Sequence, residues 1–182
     1  MILIVLIVFT GCGQNRITEK EEKKETVESE MNAEVKKTAQ TFRSVYMKEK
    51  SELNTLKVKR KIINCLEEKG YAAVDCDNQI DMVNREKVEE FCKAAEKEEQ
   101  AAVDIVVVFD EGEIIQYHLE SMNGKINVRL CQVKWKDNTP QANYYDEYEA
   151  YEWKYTEKGY LFLEEYHPPG FDGAPGETGF RV

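Results

Sequence analysis

The sequence predicts an α+β domain in which N-terminal amphipathic helices pack on an antiparallel β-meander of about four to five strands. Three observations predict it. Apolar residues recur at three- and four-residue steps through the first half, and the spacing shortens toward alternation in the second. Turn residues such as Asn123-Gly124 punctuate the second half at hairpin spacing. Helices come first and strands after, the order expected of segregated layers.

In chain order, Met31, Val35, Ala39, Phe42 and Tyr46 fall on one helical face. Leu53, Leu56, Ile62, Ile63 and Leu66 form a second apolar stripe, which stops at Gly70, a natural residue just past a helix end. A third helix follows Asn84, a good N-cap, with Val88, Phe91, Cys92 and Ala95 facing a core. Between the last two, residues 71–74 read as a short strand and residues 75–78 as a turn. Residues 103–109 are apolar and β-branched, and Asp110-Glu111-Gly112 turns them into a strand over 113–120. Asn123-Gly124 then leads into 126–135. In that strand Ile126, Val128 and Leu130 share one parity while Cys131, Val133 and Trp135 share the other. Either a bulge near Leu130 or burial on both faces accounts for the switch. A loop is expected over 138–142, then strands over 148–155 and 160–165. Residues 167–177 hold three of the chain's four prolines and three of its ten glycines, so they read as loop. Residues 178–182 read as the opening of a further strand, and a truncated form of a longer chain is expected.

Ahead of this domain, residues 2–9 are wholly apolar but far short of the roughly 20 residues that span a bilayer. Their length suits a signal-peptide core. The run Val8-Phe9-Thr10-Gly11-Cys12 resembles the lipobox of bacterial lipoproteins, although no Lys or Arg precedes it and Phe9 stands where Leu is more usual. The resemblance implies a signal peptide over 1–11 and diacylglyceryl modification of Cys12. It places the protein on the extracellular side of the cell membrane. Residues 12–31 then form a charged tether before a single domain over 32–182. The run 16–30 has almost no apolar residues, so it reads as a solvated tether or as an N-terminal extension of the first helix; both are spacers.

A formal net charge of −10 argues against nucleic-acid binding, which needs cations to neutralise phosphates. Cys65, Cys76, Cys92 and Cys131 match no zinc spacing; buried free thiols and disulfides both remain open. For chemistry, His118, His167, Asp172, Glu164 and Glu165 are the residues to weigh. A hydrolase using His167 as base beside Asp172 is the enzymatic reading, but no GxSxG, HExxH or catalytic cysteine context supplies the rest. His118 shares a parity with Gln116 and Glu120, so it is expected to face solvent. Asp146, Glu147, Glu149 and Glu152 lack the glycine turn of a calcium loop. The aromatic run that includes Tyr144, Tyr151, Trp153 and Tyr155 is the compositional oddity. Strand alternation puts Tyr151, Trp153 and Tyr155 on one face, which serves as the core or as a docking surface.

The segments 70–75 (GYAAVD), 78–82 (NQIDM), 151–162 (YEWKYTEKGYLF) and 166–173 (YHPPGFDG) resemble a family of uncharacterised lipoproteins from Gram-positive bacteria. The resemblance covers 31–182, and its members are longer. It implies a location and a fold class but no activity. The expectation is therefore a non-enzymatic interaction module without cofactor or metal, membrane-held through Cys12. A cell-wall or protein partner would meet Tyr151, Trp153, Tyr155 and His167.

Overall fold

The computed structural model describes residues 14–165 and 177–182. The lipobox with Cys12, and the loop bearing His167 and Asp172, lie outside the described residues.

The chain folds as helices α1 (Gln14–Gln40), α2 (Arg43–Lys48), α3 (Leu56–Glu68) and α4 (Arg85–Glu96) against one seven-stranded sheet. Its strands are β1 (Ala72–Asp75), β2 (Ala101–Val108), β3 (Ile114–Met122), β4 (Lys125–Lys136), β5 (Thr139–Tyr155), β6 (Tyr160–Glu165) and β7 (Glu177–Arg181). They lie side by side in sequence order. Every pairing is antiparallel except β1 with β2, which run parallel and are joined through α4.

The α+β class holds, but the described residues form a sheet of seven strands rather than four to five. The short 71–74 strand joins the sheet at one edge and the C-terminal strand joins it at the other. The loop expected over 138–142 is a hairpin instead. Asp137 (φ 51°) and Asn138 (φ 63°) both take the left-handed conformation that a tight two-residue hairpin needs, and β5 begins at once. Pro140 sits opposite Trp135 at a point where, among the described residues, β5 has β4 as its only neighbour, so its missing N–H breaks no ladder there. The charged run over 16–30 is helical, as part of α1. Asn84 precedes α4 but its side chain does not cap it; held at φ 50°, it donates instead to the carbonyls of Glu67 (3.2 Å) and Tyr71 (2.8 Å).

Two apolar clusters fill the two faces of the sheet. On one face α1, the α1–α2 junction and α3 place Val35, Phe42, Val58, Ile62 and Leu66 over Val106, Ile114, Cys131 and Val133. On the other, α4 and the returning β6–β7 pack Val88, Phe91, Leu161, Leu163 and Phe180 against Ile105, Leu119, Ile126 and Val128. Strand β4 therefore feeds both clusters, which explains its parity switch. The β3–β4 register is unbroken, so there is no bulge at Leu130. The irregularities lie in β5, where Asn143 and Tyr151 are the extra residues. Bulges bend a strand, and β5 curls β6 and β7 back over the sheet. Phe180 thereby meets Tyr117 of β3 edge-to-face, with ring centroids 5.0 Å apart.

Candidate functional site

The bulge at Tyr151 separates the aromatic residues that simple alternation puts on one face. Tyr151 points outward, 60 % exposed, whereas Trp153 and Tyr155 pack against the core. Trp153 donates its indole N–H to the carbonyl of Gly124 at 3.1 Å. These three residues thus form no continuous exposed surface. His118 is also placed differently from expectation. It is half-buried, with Nδ1 2.9 Å from Asp104 Oδ1 and Nε2 3.4 Å from Glu120 Oε1.

A concavity that carries free backbone lies at the β1 edge. Strand β1 pairs only with residues 105–108 of β2, so among the described residues no strand lies beside 101–104 on that side. Glycine ends α3 here: Gly70 (φ +82°) turns the chain, and β1 starts two residues later. The result is a recess of about 660 Å³ in line with β1. Its floor is the free margin of β2. One wall is α4, through Lys87, Glu90, Phe91 and Ala94; the other carries Tyr71 and Glu34 of α1. Lys69 and Lys87 stand at the Gly70 end, where Lys87 Nζ donates to the Gly70 carbonyl.

A polar chain underlies this recess. Thr38 Oγ1 donates to Gln116 Oε1 (2.7 Å) and lies 3.0 Å from Tyr71 Oη. Gln116 Nε2 reaches Asp104 Oδ1 at 3.5 Å, Asp104 holds His118, and Glu120 holds Arg129 at 2.9 Å. The bond to Asp104 raises the His118 pKa above 6.5, outweighing the burial that would lower it. The imidazole thus lies between two carboxylates that favour its charged form, and among the described residues no hydroxyl or thiol is positioned beside it as a nucleophile.

Elsewhere the chemistry is occupied by structure. Lys59, 3 % exposed, sits under the ends of β1 and β2 with Nζ 2.8 Å from Asp110 and 3.3 Å from Asp77. Burial opposes its charge, yet those bonds hold its pKa above the usual lysine value. Tyr46 and Trp135 stack at 4.0 Å beside a groove of about 370 Å³, but each covers the other's face and Tyr46 is buried. Cys65, Cys76, Cys92 and Cys131 are free thiols. Burial pushes Cys92 up to about 12 and Cys131 up to about 11, which keeps both protonated and unreactive. Among the described residues no group of His, Cys, Asp and Glu is arranged to hold a metal ion.

The described residues define a curled-sheet α+β domain with an open strand margin. The chain belongs to a family of unknown function, DUF6070, whose model matches residues 24–182. No curated protein and no solved structure matches it.

Proposed function

We propose that this protein is a lipid-anchored module on the outer side of the cell membrane, non-enzymatic, that binds a partner protein in the recess beside β2. The observation that carries the binding part is the uncovered margin of residues 101–104 at the floor of a walled groove. Backbone hydrogen-bonding groups seek partners, and a free strand margin is a template for one. Membrane attachment rests on the lipobox-like run ending at Cys12. Two acyl chains there, at about 0.8 kcal/mol per buried CH₂, hold a protein stably. No described helix is long and apolar enough to cross a membrane.

A photo-crosslinking amino acid placed at Ala102 in cells tests the binding surface against one placed at Glu157, in the exposed turn between β5 and β6. A discrete adduct from position 102 and none from 157 is expected. Equal or absent adducts at the two positions would remove the recess as the contact surface.

A further inference from the structure

We infer that the recess takes an extended peptide by strand addition, running parallel to β2, with a carboxylate at its Lys69–Lys87 end. This deepens the binding reading above and rests on it.

The backbone sets the mode. Val108 accepts from the amide of Cys76 (2.9 Å), so its carbonyl points to the β1 side. Backbone groups alternate along a strand, so those of Val106, Asp104 and Ala102 point the same way. Val106 lies opposite Ala73 of β1. Ala102 lies beyond the end of β1, and its N–H and C=O open into the recess. Residues 101–104 extend about 13 Å, enough for about four peptide residues. Ala94, Ala101 and Ala102 line the slot with methyl groups only, which leaves room for a backbone to approach.

The walls select the occupant. The margin is sunk between α1 and α4, so the equally sunk margin of a second copy does not reach it. A single extended chain does. Charge then selects direction. The connection through α4 runs back against both parallel strands, so Lys87 stands toward β1, Glu90 one turn further down, and Ala94 beside the start of β2. A peptide parallel to β2 brings its carboxyl end to Lys69 and Lys87 and its upstream residues to Glu90. The reverse orientation would put a terminal amine against two ammonium groups. The partner chemistry is therefore a short extended segment with a basic residue upstream and a carboxylate, its own C-terminus, at the end.

The test pans the full chain against displayed random heptapeptides in two formats, one with free carboxyl termini and one flanked on both sides. The free-carboxyl library is expected to enrich. The enriched peptide, made synthetically, should bind at least tenfold more weakly when its C-terminus is amidated or when one central amide is replaced by an ester. Lys69→Glu with Lys87→Glu should produce a loss like that of amidation, and Ala102→Pro a loss like that of the ester. The peptide changes leave the protein untouched, so they decide the matter even if a variant misfolds. Enrichment of the flanked library alone, or peptides indifferent to amidation and ester, overturns strand addition with carboxylate capture while leaving a binding module. Enrichment from neither library overturns both.

Discussion

His118 shows how one side chain reports its surroundings through pH. Both ring nitrogens face carboxylates, Asp104 at 2.9 Å and Glu120 at 3.4 Å, and the folded state raises its pKa. A raised pKa means that the folded protein binds the proton more tightly than the unfolded chain. Stability from this group is therefore fully present below the unfolded value near 6.5, and is lost as pH rises through the higher folded value. His118→Gln keeps a polar side chain and removes the charge. It should cost about 1.5–3 kcal/mol at pH 5.5, the scale of a hydrogen bond to a charged group, and clearly less at pH 9. Urea unfolding of both proteins at the two pH values checks this, and a cost independent of pH would show that the imidazolium is not what the site holds. The parity of β3 puts His118 beside Gln116 and Glu120, which reads as a solvent face. What parity does not reveal is that Asp104 of β2 lies directly opposite, since that pairing joins residues 14 apart.

The same contrast between local and paired information runs through the elements. Helix α3, the Asn123-Gly124 hairpin and the parity switch of β4 are local patterns legible in the sequence, but only the unbroken β3–β4 register decides for two-sided burial over a bulge. The bulge at Tyr151 is not, because it exists only relative to the register of β6. The recess is hidden for a like reason: it is a difference in length between β1 and β2, four residues against eight. A signal does exist. A short strand, a helix and an apolar strand in succession form the βαβ pattern that implies a parallel pair. Helix α1 combines both kinds of information. From Met31 onward its apolar face is docked, with Val35, Thr38 and Ala39 fully buried against the sheet. Over residues 24–30 no side chain is fully buried, with Val27 and Glu28 half-buried, and the helix there draws largely on the propensity of Glu and Lys. Proline in a helix interior costs about 3 kcal/mol or more. At the exposed position Lys36, Lys36→Pro should therefore lower the urea midpoint sharply, whereas Glu25→Pro should reduce far-UV helical signal and leave the midpoint unchanged. Equal midpoint losses would mean that the charged half of α1 is also docked.

For the molecule as a whole, charge and attachment pull in different directions. A net charge of −10 repels an anionic membrane surface, and the helical segment nearest the proposed anchor is itself dense in Glu and Lys rather than basic. The proposed attachment through acyl chains would not depend on that charge. The two candidate forces separate by salt, since charge contacts weaken within a Debye length of about 8 Å at physiological ionic strength while hydrocarbon burial does not. The residues of α1 ahead of Met31 also have a geometric role. From Gln14 to Met31 they rise about 1.5 Å per residue, a helical spacer of roughly 25 Å ahead of the docked part of α1. With acylation, cells fed a palmitate analogue should label the wild-type protein, which should stay in the membrane fraction through a 1 M salt wash and leave it in detergent. Cys12→Ser should lose the label and move to the soluble fraction or the medium. Label that persists in Cys12→Ser, or wild-type protein released by salt alone, would refute acylation at this residue. The first result would move the acyl chain to another residue, and the second would leave charge contacts as the force that holds the protein.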